Sequence, residues 1–464
     1  MVAFEVYDFV FLGIFIIFVV IFLSTRRKNL QRQGILYLYK TKLGINFIDW
    51  FAKTFAKPLK LLQYVVLASG YGLMIGIVWL LSQSTYLYLT TSIAQVIRAP
   101  PVFPVIPYFP KIFGLESLFP PLYFTYFIVV LGIIAVVHEF SHGIFARFYK
   151  FKIHSTGFAF LGPILGAFVE PDEKQMEKAP RLKQMVVLAA GTFANVVVAL
   201  LFTGVMALFF TNLFVPAGVK FSSYGLAELP MVNVSVIGNS SIEGYLQLES
   251  DGKYYFIENE IWDASVENKL KSVIVYEDTP AFRSQMVGAI TEIDGKKITS
   301  IEDLRSVLGQ YKPGDEVNVK TAVLDPGQGT VAETREYTFN LTENSEGKAA
   351  LGIIFIQGGN GGITGWIYKV FSDIKDPFTH YESKVGEFGW FIYYLLWWII
   401  VLNFLVALFN MLPVGILDGG RFFYLTVWGI TRKEKIGKWA YKAITWFILA
   451  LIVVMMVKWA MTFI

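Results

Sequence analysis

The sequence predicts a polytopic α-helical membrane protein of about six transmembrane helices, with a soluble α+β domain inserted between the fourth and fifth. Two observations predict it. Hydrophobic residues make up 55% of the 464 and charged residues only 16%, for a mean hydropathy of +0.53. Several runs also reach the roughly 20 apolar residues that a helix needs to cross a bilayer, and a long polar block interrupts them.

The runs place spans near residues 6–23, 61–81, 122–145, 185–210, 390–412 and 443–463. The first lacks a basic residue ahead of it and a small-residue cleavage site, so it reads as a retained helix, with a signal peptide as the alternative. Basic residues orient the set. Segment 26–60 holds nine Lys/Arg, 147–183 holds seven and 413–440 holds five, whereas 84–121 holds two. By the positive-inside rule the first three are cytoplasmic, which puts both termini and the polar block outside. The net charge of +4 comes from these loops and gives no reason to expect nucleic acid. With no cysteine, thiolate ligands and thiol nucleophiles are excluded.

From about 215 to 356 the chain is polar, with alternating stretches such as Val317 to Val323 and turn signals at Asp294-Gly295 and Lys312-Pro313-Gly314-Asp315. The N-x-S/T triplets at Asn233, Asn239 and Asn340 all fall here, in keeping with an outside location. The organisation expected is then 1–60, first span and basic loop; 61–121, second span and outer loop; 122–212, first half of a membrane core; 213–357, the soluble domain; 358–389, a Gly-rich linker and membrane-surface segment; and 390–464, the second half of the core with the last span.

Two motifs carry chemistry. In the third span, His138-Glu139-Phe140-Ser141-His142 sets two imidazoles four residues apart on one helix face, the spacing that lets both bind one zinc while the glutamate between them acts as general base on a water. Positive-inside counting puts this pair near the cytoplasmic end of its span. Zinc held by two histidines needs a third protein ligand and an open position. Asp418, in Asn410-Met411-Leu412-Pro413-Val414-Gly415-Ile416-Leu417-Asp418-Gly419-Gly420, suits that role, because a carboxylate at the end of a hydrophobic span is costly unless paired or metal-bound. Both motifs fall at the same membrane depth. Glycines at 157, 162 and 166, in the apolar stretch 156–169, suggest a non-helical re-entrant strand or hairpin that could pair with an unwound peptide.

HExxH in a span followed by a distant NxxPxxxxDG resembles the site-2 protease family of intramembrane zinc metalloproteases. The resemblance implies that His138, His142 and Asp418 bind one Zn2+, that Glu139 activates water, and that Asn195 (in Gly191-Thr192-Phe193-Ala194-Asn195), Asn410 and Pro413 help to hold the substrate. Asparagine in a membrane helix also serves helix association. Asp278-Thr279-Pro280-Ala281, Val287 to Lys296 and Ile301-Glu302-Asp303-Leu304 look like a PDZ domain, with 238–271 as an insertion. The expected partners are single-span transmembrane substrates, the lipid bilayer, and a peptide or protein ligand of the PDZ-like domain. The rivals are a catalytically idle scaffold that binds peptides through that domain, and a transporter using His and Asp as a relay. Of these, the transporter predicts hydropathy repeats and several intramembrane charges, neither of which is seen in the sequence.

Overall fold

The computed structural model describes residues 4–34, 36–91, 99–116, 118–161, 164–325, 329–356, 369, 372–415 and 417–463. Six helices among them are long and apolar enough to span a membrane: α1 (Phe4–Thr25), α3 (Ala56–Thr90), α4 (Phe124–Phe148), α5 (Arg181–Leu213), α6 (Glu387–Asn410) and α8 (Glu434–Ala460). Two more helices matter for the site, α2 (Ile45–Thr54) and α7 (Asp418–Thr431). The protein is thus a polytopic helical membrane protein with an inserted β-rich domain.

Helices α3 and α8 extend beyond the apolar runs at 61–81 and 443–463. Their added turns carry Lys57, Lys60, Lys435 and Lys438, and a helix continues through such residues because Lys is a good helix former whose charge can stay in water. The basic segment 26–60 is also more ordered than a loop. It forms strands β1 (Leu30–Gln33) and β2 (Leu36–Thr41) as well as α2. With β3 (Ile153–Leu161) and β4 (Ile164–Pro171) they make an antiparallel sheet in the order β1-β2-β3-β4. The glycine-bearing stretch is therefore the β3–β4 hairpin. Gly157 is required there, because a Cβ would lie 2.1 Å from the Tyr39 carbonyl oxygen; Gly166 has room, and Gly162 lies outside the described residues.

The chain divides into two compact units, Met1–Met206 with Tyr393–Ile464, and Ala207–Ile392. In the first, the core gathers α2, α3, α4, α5 and α7 around Val66, Ala189, Met411 and Phe422, all fully buried. Small residues set the approach of α3 to α5: a Cβ on Gly70 would meet that of Ala189 at 2.9 Å. The start of α4 is capped from another helix. Tyr123 supplies no side-chain cap; instead the buried Asp8 of α1 accepts the N–H of Phe124 (2.7 Å) and of Thr125 (2.8 Å), together with the hydroxyls of Thr125 and Tyr108. A carboxylate there satisfies donors that the helix leaves open and faces the positive end of its dipole.

The second unit is built mainly on two antiparallel sheets, with two further two-stranded pairings among the described residues. One runs in the order Leu226–Pro230, Ser272–Glu277, Lys253–Glu258, Tyr245–Ser250, Ser235–Asn239 around Leu248, Ile257 and Val275. The other runs Val331–Asn340, Glu316–Leu324, Ala289–Ile293, Phe214–Val219, Thr379–Ser383, with Lys296–Lys297 paired to the third strand. Helix Ile301–Leu308, held by a Ser300/Asp303 capping box, packs Leu304 and Val307 into the same core as Ile290 and Val319. The Asp294-Gly295 signal is a tight hairpin with both residues at positive φ (45° and 78°). Phe282 stacks on Phe256 and Tyr276 of the first sheet, at 4.9 and 5.2 Å. In the segment expected to lie on the membrane surface, Thr379–Ser383 is a strand paired with Phe214–Val219. That pairing is long-range, and a short polar strand flanked by loops has no periodicity that announces it. The Gly-rich residues 358–362 lie outside the described residues.

Candidate metal centre

The HEFSH motif lies within the last three turns of α4, which closes at Tyr149 with Lys150 in the left-handed region (φ 64°). The regular helix sets the two imidazoles edge to face with ring centroids 4.7 Å apart. Asp418 reaches them from a tight turn. After α6 ends at Asn410, the chain folds through Leu412-Pro413-Val414, with the Val414 N–H on the Leu412 carbonyl (2.7 Å), and restarts as α7 at Asp418. A Cβ on Gly419 would lie 2.3 Å from the Met411 carbonyl, and one on Gly420 would lie 2.4 Å from that of Val414. Only glycines allow this return, and it is what delivers the aspartate.

Asp418 Oδ2 lies 3.4 Å from Nε2 of His138 and 3.4 Å from Nε2 of His142, and the three ligating atoms fall within 4.8 Å of one another. Zinc bound at about 2.0–2.1 Å in a tetrahedron sets its ligand atoms roughly 3.3 Å apart, so the two N···O separations fit edges of such a polyhedron. The donor set, two imidazoles and one carboxylate, also leaves a fourth position open as a catalytic site requires.

Helix α5 backs the pair. The Val187 carbonyl lies 2.6 Å from His142 Nδ1, and the Asn195 amide lies 3.1 Å from His138 Nδ1. Between them stands Gly191, where a Cβ would sit 2.5 Å from His142 Nε2 and 2.7 Å from His138 Nε2. Glu139, on the same turn as His138, accepts the Val169 N–H of β4 at 3.1 Å. β4 is the last strand of its sheet. Since strand groups alternate in direction, the N–H and C=O of Leu165 and Ala167 point the same way as those of Val169.

The structure thus brings together His138, His142 and Asp418, with Glu139 and Asn195 beside them. Asn410 is half-buried at the end of α6, and Pro413 is buried in the turn, its carbonyl accepting the Thr445 hydroxyl at 3.3 Å. His154 stands apart, 3.5 Å from Asp172, and His380 is in the second unit. Gly191, Val187 and Val169 gain a part in the site that the sequence reading did not give them. Gly191 had a signal, four residues before Asn195 on one helix face. The other two act through backbone atoms, which no side-chain pattern reports.

A profile described as peptidase family M50 matches residues 126–455. An uncharacterized protein of Methanocaldococcus jannaschii is 25% identical over 293 residues, 63% of this chain and 54% of that protein; the chain therefore spans about half the length of this relative. The matched region contains both motifs and all of the residues that converge at Asp418, and the chain belongs to peptidase family M50, the site-2 protease family.

Proposed function

We propose that this protein is an intramembrane zinc metalloprotease that hydrolyses a peptide bond in a transmembrane substrate helix. The observation that carries the reading is the convergence of Asp418 on both histidines at the edge length of a zinc tetrahedron. His138, His142 and Asp418 would hold the ion, which when bound supplies Lewis-acid polarisation of the scissile carbonyl and lowers the pKa of water. Glu139 takes the proton from the attacking water and passes it to the leaving amine.

A substrate helix has its backbone bonds satisfied internally and must unwind before any peptide bond is exposed. The outward groups of Leu165 and Ala167 on β4 offer the freed backbone new partners next to Glu139, and Asn410 and Pro413 are read, from the family resemblance, as further substrate contacts. By the count of basic residues the site faces the cytoplasmic side, with both termini and the inserted domain outside. The inserted domain is read as PDZ-like, a place for a peptide or protein ligand.

The test is cleavage of single-span substrates by the purified full-length protein. Glu139→Gln is expected to keep zinc and to lose activity by at least ~10²-fold, the scale of a lost general base. Undiminished cleavage by that variant would refute the reading.

A further inference from the structure

We propose that Asn195 is a positioning residue for the metal site, its side-chain carbonyl accepting Nδ1–H of His138 so that Nε2 presents its lone pair to the ion. This rests on the metalloprotease reading, and it gives Asn195 a role other than the substrate contact implied by family resemblance.

The argument begins with His142. A backbone carbonyl can only accept, so the 2.6 Å contact with the Val187 oxygen requires a proton on Nδ1. In the neutral ring Nε2 is then unprotonated, and it is the atom that faces Asp418. His138 needs the same tautomer, because its Nε2 faces the same carboxylate oxygen at the same 3.4 Å. Its Nδ1 partner is the Asn195 amide.

An amide presents either an acceptor or a donor, according to its rotation about Cβ–Cγ. With the NH2 toward His138, the fully buried Oδ1 has no hydrogen-bond partner, and Nδ1 would have to be bare, which puts the proton on the ligating nitrogen. With the oxygen toward His138, Oδ1 gains a partner and Nδ1 can carry the proton that leaves Nε2 free for the ion. Among the described residues no group donates to Oδ1, so the imidazole decides the orientation.

The spacing on α5 supports a template. Val187, Gly191 and Asn195 follow one another at four-residue steps and so share one face. The outer two meet one Nδ1 each, and the middle one leaves room for both Nε2 atoms. Partners of this kind fix the ring orientation of metal-bound histidines, and losing one costs metal affinity.

The experiment measures zinc affinity of the purified full-length protein by chelator competition, with cleavage kinetics at saturating zinc alongside. Asn195→Leu, isosteric but without an acceptor, is expected to bind zinc roughly 10–100-fold more weakly while recovering much of its kcat when zinc is in excess. Asn195→Asp keeps an acceptor and is expected to stay within about threefold of the wild type, an effect well below that scale. Equal zinc affinity in the wild type and Asn195→Leu, with the loss confined to KM or kcat, would overturn the proposal in favour of substrate contact. If Asn195→Leu fails to fold, Asn195→Ala against Asn195→Asp carries the same comparison. A wild-type protein that binds no zinc would instead sink the metalloprotease reading itself.

Discussion

The two units of the chain each bury histidine, and they treat it in opposite ways. In the membrane unit His138 and His142 have hydrogen-bonding partners at Nδ1 and a carboxylate at Nε2. In the inserted unit His380 is also buried, but its Nε2 has no hydrogen-bond partner among the described residues, and burial together with neighbouring Lys220 and Lys375 pushes its pKa down to about 4. The first environment invites a cation, and the second keeps the ring neutral. What a buried imidazole can do is decided by the groups around it; HExxH spacing locates a pair, but the aspartate and the backing helix make it a site.

The most damaging change to that contrast is the smallest. Gly191→Ala places a methyl group within 2.7 Å of both ligating nitrogens, so the imidazoles must move apart. Zinc affinity measured by chelator competition is expected to fall by about 100-fold, the upper end for disturbed ligand positioning, with the fold retained by circular dichroism. Unchanged affinity would show that α5 does not shape the site.

A second change tests the support of the helix that carries the pair. Asp8→Ala removes the cap on Phe124 and Thr125 and leaves two N–H groups without their partner. At about 1–2 kcal/mol for each buried unsatisfied donor, the loss is about 2–4 kcal/mol, seen as a lower thermal midpoint in micelles. An unshifted midpoint would mean that α1 is only loosely attached to α4.

The mildest test concerns His380 and uses pH. Its folded-state pKa lies below the unfolded value of about 6.5, so the unfolded chain binds the extra proton. The stability that comes from keeping this ring neutral is fully present above about pH 6.5 and declines as pH falls toward 4. Between pH 7 and 5 the loss amounts to about 2 kcal/mol. His380→Phe should flatten that part of the profile, and a profile unaltered by the substitution would show that His380 is not the titrating group.

Much of this architecture was legible in the sequence, because a bilayer imposes one strong rule. The six apolar runs mark the six long helices, and the polar block marks the inserted domain. HEFSH and Asp418 identify each other across nearly three hundred residues because an intramembrane carboxylate needs a partner. The order within the basic segment 26–60 was hidden for a physical reason. In Leu36-Tyr37-Leu38-Tyr39 amphipathic and apolar side chains alternate weakly, so period two hardly shows, and the strand forms because it pairs with β3 far along the chain. Helix α7 escaped notice because it follows Pro413 and two glycines, residues that normally end helices; here the glycines pack under the turn and the helix starts among them. Val187 and Val169 contribute main-chain atoms, which only the fold can aim.

Zinc content of the purified full-length protein tests the central claim most directly, with wild type compared against Asp418→Ala. The geometry predicts about one zinc per chain in the wild type and its loss when the aspartate is removed, although both histidines remain. Wild-type protein free of zinc after purification with the metal supplied, or a variant that holds zinc as tightly without Asp418, would contradict it.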